Sequence, residues 1–254
     1  MIFAKERVQV ICNELKKSAV VQKQEISLWK MKEGLFFRPN EAELDPKPWE
    51  DFDSHTMHWY GKDRHYWFRT QWAVPESFHH KPLWLNICTQ IDEWDDAKNP
   101  QFLLFLNGEV VQGIDMNHRE VLITENAKAG DVYQMDMQAY SGTLHTEFQL
   151  LGKMTEINPQ IQGLYYDLQV PVWALERMDK DSKTRLDLET VLNKTINMLD
   201  LRDVYSKAFY TSVDKARAYI AKALYQDMAG YEDVIATCIR SEERRVGKEC
   251  RSRW

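Results

Sequence analysis

A chain of 254 residues is long enough for one sizeable core or two smaller ones. Its 44% hydrophobic and 28% charged residues are ordinary globular material, and a formal net charge of −6 argues against nucleic acid as the main partner. No apolar run approaches the roughly 20 residues of a membrane helix. The four cysteines (Cys12, Cys88, Cys238, Cys250) lack paired spacing, so the expected compartment is a reducing cytoplasm with no membrane attachment.

In chain order, Phe3, Val8, Ile11, Cys12 and Leu15 recur at helical spacing, with Lys16 and Lys17 at the end where cations suit the helix dipole. Residues 26–30 can form a first strand, and residues 38–53, with three prolines and many acids, read as an ordered loop. A β pattern then takes over. YWFRTQWAV (66–74) is aromatic and β-branched and stops at Pro75, and LWLNICTQI (83–91) alternates. Seven of the nine tryptophans (Trp29, Trp49, Trp59, Trp67, Trp72, Trp84, Trp94) fall in this early part, where they fill a core or stack on sugar faces; the core reading is favoured.

The stretch QFLLFLNGEVVQGIDMNHREVLIT (101–124) is the centre of the pattern. Asn107-Gly108 suits a two-residue type I′ turn, because both central residues need positive φ. A polar insert then interrupts the apolar text before Val121, Leu122 and Ile123 resume it. Two further strands are expected at 131–140 and 144–151. Strands ten to fifteen residues apart with turn signals between them indicate an antiparallel sandwich or jelly roll.

Past Gly152 the period changes. Residues 163–170 read as either strand or helix, and Pro171 fits the first turn of a helix reaching about Met178. Asp181 or Ser182 can cap a helix with the stripe Leu188, Val191, Leu192, Thr195 and Leu199. Another stripe, Phe209, Val213, Ala216, Ile220, Ala223 and Leu224, runs from about Ser206 to Met228, with Gly230 as the stop. VIATCI (234–239) opens a buried strand. The fold class is therefore mostly β with α: an antiparallel, jelly-roll-like β-sandwich followed by a helical connector. The expected divisions are a helix at 1–20, the sandwich at 21–155, the connector at 156–233, the start of an α/β domain at 234–239, and a tail at 240–254.

The chemistry-bearing candidates are few. His55 and His58 have His-x-x-His spacing without a helix or an accompanying Glu, and His79-His80 sits in a turn, so no metal site and no metal ligand are assigned. There is no Gly-rich phosphate loop and no nucleophile elbow. The acids Asp92, Glu93, Asp95 and Asp96 read as a solvated loop. No catalytic residue is assigned. The polar insert, with Asp115, Asn117, His118 and Arg119, is the remaining candidate. It is either a plain turn capped by its own side chains, or a ligand-facing loop offering donors and acceptors to sugar hydroxyls.

Several segments together resemble the N-terminal region of cytosolic-type α-mannosidases of glycoside hydrolase family 38: FAKERVQVICNEL, YWFRTQWAVP, LNGEVVQGIDMNHREVLI, AKAGDVYQMDMQAYSG, LYYDLQVPVWALERMDKDS and FYTSVDKARAYIAKALY. The resemblance covers residues 1–239, and NGE, QGID, NHREV and AYSG in that order are its most specific text. It implies an N-terminal β-sandwich and a helical connector ahead of a catalytic α/β domain, whose first strand VIATCI looks like. In the family that strand leads into a Gly-His-x-His-x-Asp zinc motif; here Arg240-Ser241-Glu242-Glu243 stands there. The resemblance therefore implies a retaining, zinc-dependent hydrolase of α-mannosides or their oligosaccharides in the full-length family. For this chain it implies no cofactor, no nucleophile and no activity. Pocket-rim support and assembly into a homo-oligomer are the roles left to it. The alternative is a free-standing carbohydrate-binding β-sandwich module.

The tail RSEERRVGKECRSRW (240–254) lacks apolar periodicity, and its first eight residues are those of a common sequencing adapter translated in frame. It is expected to be non-native, and the basic run, Cys250 and Trp254 are set aside.

Overall fold

The computed structural model describes residues 4–90, 100–116 and 118–227. The expected strand at 234–239, the stop at Gly230 and the tail lie outside them. The chain divides into two compact units: Val21–Ile157, and Met1–Val20 together with Asn158–Trp254.

The first unit is an antiparallel sandwich. Its strands are β1 (Val20–Ile26), β2 (Leu28–Glu33), β3 (Glu50–Asp53), β4 (Trp59–Gly61), β5 (His65–Ala73), β6 (Leu83–Cys88), β7 (Gln101–Leu106), β8 (Glu109–Ile114), β9 (Glu120–Thr124), β10 (Val132–Tyr140), β11 (Thr146–Phe148) and β12 (Leu151–Ile157). Six form one sheet in the order β3-β2-β5-β10-β7-β8, four form another in the order β1-β12-β6-β9, and β4 pairs with β11. Alternation decides the faces. Phe68, Trp72, Leu85, Ile87, Leu104, Met135, Met137 and Met154 all point into one buried core. Trp59 sits near its centre, with ring centroids 4.7 Å from Phe148 and 5.4 Å from Phe68.

The Asn107-Gly108 turn is as expected: φ is +51° at Asn107 and +89° at Gly108. The hairpin it closes is an edge, not a centre, because β8 ends the six-stranded sheet. The return strand β9 lies in the other sheet, against β6, with Leu85 opposite Val121. The chain thus crosses from one sheet to the other between Ile114 and Glu120. The reading of 38–53 as loop is corrected: after the N-terminal helix α1 (Ala4–Ala19), Pro39–Leu44 forms a short helix, α2, and Glu50–Asp53 is β3. Pro39 supplies the fixed φ of a first helical turn. The single strand expected at 144–151 is two, β11 and β12.

The second unit is helical, with α1, α3 (Pro159–Leu175), α4 (Lys183–Asn197) and α5 (Lys207–Lys222), the last running into one π turn at Ala223–Asp227. α3 settles the ambiguity at 163–170 as helix. Its start is fixed by Asn158, whose side-chain oxygen accepts from Gln160 and Ile161 N–H, and by Pro159 in the first turn. Pro171 is inside the helix rather than at its beginning. Ser182 and Ser206 cap α4 and α5 as side-chain acceptors, and Leu188, Leu192, Phe209, Val213, Ala216 and Ile220 are buried. Among the described residues, no helix is long and apolar enough to cross a membrane.

Candidate functional site

The crossover begins where Ile114, 2% exposed, leaves the core. Asp115 then turns the chain: its Oδ1 accepts from the His118 backbone N–H at 2.8 Å and lies 3.0 Å from His118 Nδ1. This is the side-chain-to-backbone turn that aspartate favours. The pair faces solvent, with the His118 side chain 69% and that of Asp115 38% exposed. Arg119 anchors the far end. Its carbonyl accepts from Ile87 N–H at 3.0 Å, and its Nη1 donates to Cys88 Sγ at 3.3 Å. Asn117 lies outside the described residues.

Between Ile87, Cys88, Phe102, Asp115 and Arg119 there is a cleft of about 10 Å³. That holds about one water, where ligand pockets run to roughly 300 Å³ or more. Asp115, His118 and Arg119 are therefore brought together, but on a surface rather than around an enclosed pocket. The arrangement offers a carboxylate, an imidazole and a guanidinium as hydrogen-bonding groups on the rim of the sandwich.

The other histidines disperse. His55 lies 3.5 Å from Glu25, while His58 Nδ1 lies 2.8 Å from Glu147. His79 Nδ1 accepts from Ala129 N–H, and His80 Nδ1 meets Asn126. Among the described residues no group of three or more His, Cys, Asp or Glu could hold a metal ion. The acids at 92–96 lie outside the described residues.

Sequence reasoning passed over a second polar constellation on the outer face of the six-stranded sheet. Lys32, 2% exposed, donates to the carbonyls of Ala42 at 2.6 Å and Asp45 at 3.2 Å. Arg69 bonds Asp136 and Glu43 and lies 4.5 Å from the Trp49 ring. Gln138 donates to Phe36 O at 2.7 Å, so residues 34–49 are strapped over Trp67, Arg69 and Asp136. Burial pulls the Arg69 guanidinium down, and the bonds to Asp136 and Glu43 outweigh it, so the group is held charged. The legible signal was a charge in mid-strand in both HYWFRTQWA and VYQMDMQAY.

No protein-family profile and no curated protein matches this sequence. Among solved structures, Ruminococcus gnavus β-glucuronidase in complex with a C6-substituted uronic isofagomine is similar at 12% identity, over 53% of this chain and 29% of that one, with a TM-score of 0.33. The same enzyme in complex with D-glucuronic acid is similar at 13% identity over 53% and 29%, with a TM-score of 0.33. An uncultured Clostridium sp. β-glucuronidase is similar at 14% identity over 54% and 29%, with a TM-score of 0.36. The chain thus spans under a third of these neighbours' length, and the neighbours are glycoside hydrolases.

Proposed function

We propose that residues 1–239 form the non-catalytic front region of a retaining, zinc-dependent α-mannosidase of glycoside hydrolase family 38 acting in the cytoplasm, with Asp115, Asn117, His118 and Arg119 on the rim of its mannoside pocket. The observation that carries this reading is the text NGE, QGID and NHREV, whose described residues lead from one sheet to the other with Asp115 and His118 turned to solvent. A sandwich followed in the chain by a helical unit is the arrangement that the resemblance implies. The described residues do not fit a zinc site, so no step of the chemistry is assigned to them. The free-standing carbohydrate-binding alternative asks for coplanar indoles on an outer sheet face. Trp29, Trp59 and Trp72 are instead at most 7% exposed within the core between the sheets.

Reading the uninterrupted gene past Ile239 tests the proposal. A His-x-Asp within a few codons is expected, and a stop codon there refutes it. The 254-residue protein should release no mannose from an aryl α-mannoside with zinc supplied; measurable turnover overturns the non-catalytic assignment.

A further inference from the structure

Where residues 34–49 cover the six-stranded sheet, the two sides of the contact divide by chemistry. The sheet supplies donors: Lys32 Nζ, the Arg69 guanidinium and Gln138 Nε2. The strap supplies acceptors. Phe36, Pro39, Ala42 and Asp45 offer carbonyls, whose places are set by the run of the backbone. Glu43 offers a carboxylate instead, at the end of a flexible side chain. It takes Arg69 Nη1 and is 60% exposed. Asp136 takes Nε of the same guanidinium and is 0% exposed. Arg69 therefore has one fixed carboxylate and one exchangeable carboxylate, because a solvent-facing ion pair gives its own partner only a small advantage over a free ion.

An unspent donor lies beside the exchangeable position. The Trp49 ring centroid is 4.5 Å from Arg69 Cζ and 5.2 Å from Lys32 Nζ, which holds the indole against both cations. Its Nε1 is buried and has no acceptor among the described residues. A buried N–H in that state carries a desolvation cost that an incoming oxygen recovers. A carboxylate on the guanidinium and a hydroxyl oxygen next to it would satisfy both groups at once, and a paired Arg–carboxylate contact fixes the orientation of the acid.

We propose that the Nη edge of Arg69 beside the Trp49 indole is a binding site for a small hydroxy acid, whose carboxylate replaces that of Glu43 and whose hydroxyl oxygen accepts from Trp49 Nε1–H. The site is independent of whether a catalytic domain follows. Its test is a titration of the 254-residue protein with sodium glycolate, against sodium acetate and sodium chloride at matched ionic strength, read by proton–nitrogen NMR of the indole N–H groups. Glycolate should shift the Trp49 indole saturably downfield and leave the Trp72 indole, in the core between the sheets, in place. Glu43→Ala removes the CH2–COO− group beyond Cβ, which acetate matches atom for atom and glycolate exceeds by one hydroxyl. With the resident carboxylate gone, glycolate should bind this variant about threefold tighter than wild type. Acetate should bind it about fivefold more weakly than glycolate, for want of the bond to the indole. Arg69→Lys keeps a cation beside Asp136 but loses the planar fork, and should weaken glycolate binding about fivefold or more. If that variant does not fold, the Glu43→Ala titrations still decide. A Trp49 resonance in Glu43→Ala that moves no more with glycolate than with chloride, acetate binding as tightly as glycolate, or binding unchanged in folded Arg69→Lys each overturn the proposal.

Discussion

Replacing Asp136 with alanine removes a carboxylate that is 0% exposed in the middle of β10. It accepts from Arg69 Nε and, at 2.8 Å, from Gln134 Nε2. Breaking a buried ion pair costs about 3–5 kcal/mol, because the survivor keeps a buried, uncompensated charge. Here the survivor is less stranded: the Arg69 side chain is 19% exposed, stays bonded to Glu43 and keeps its place against Trp49. The expected cost is therefore about 2–3 kcal/mol, the low end of that range or just under it. In urea, with a slope of about 2 kcal/mol/M, the midpoint falls by about 1–1.5 M. Tryptophan fluorescence is the right probe, because Trp29, Trp59, Trp67 and Trp72 are all buried within Val21–Ile157 and report on that unit. Arg69→Met should cost a similar amount, and the double variant less than the sum of the two singles. A shift under about 0.3 M, or strict additivity in the cycle, would refute the reading of this pair as a buried, mutually dependent one.

Other outcomes can be checked in parallel. Gly152→Ala places a Cβ 2.7 Å from Trp29 Cζ2, on a ring held by its Nε1 bond to Ile26 O. Overpacking of this kind should cost about 1–3 kcal/mol in the same urea assay. Tyr140 donates to Asp63 at 2.6 Å, and burial first, then that bond, push its hydroxyl up to about 12. Its contribution is present below pH 10 and lost as pH rises towards 12, so Tyr140→Phe should flatten the alkaline loss of stability in that window. The Cys12 thiol is buried and pushed up to about 12 by that burial. Maleimide at pH 8 should leave it unlabelled in the folded protein and label it after denaturation.

Much of the architecture was readable because single residues carry it. Asn107-Gly108 needs positive φ twice, Ser182 is a natural helix cap, and period-two text put Leu83, Leu85 and Ile87 on one face. What the pattern could not carry was partnership. Val121 alternates correctly, but nothing in period two says that β9 joins β6 and not β8. Pro171 signals a helix start by its fixed φ, yet Asn158 and Pro159 already made a stronger start twelve residues earlier, and burial of Val172 and Leu175 carries the helix past the proline. At the candidate site, the turn formed by Asp115 was legible. The Arg119–Cys88 contact was not, because those residues are 31 apart in sequence and meet only when the two sheets do.

The N-terminal helix has a consequence for how the protein is made. α1 finds its partners late: Arg7 bonds Asn193, 186 residues away, Lys5 bonds Glu176, and Tyr205 reaches the Ser18 carbonyl. During synthesis at about 5–20 residues per second, α1 waits on the order of ten to thirty seconds for α3 and α4 to emerge. Throughout that interval Val8, Cys12 and Leu15, all at most 1% exposed in the finished protein, have no core to enter. The sandwich, whose strands pair among themselves, has everything it needs in the meantime. Asn158 N–H then bonds the Ala19 carbonyl at 2.8 Å, joining the two ends of the sandwich segment. Biogenesis of this chain is thus a matter of protecting one amphipathic helix until α3, α4 and α5 arrive, and a chaperone that holds α1 should raise its yield.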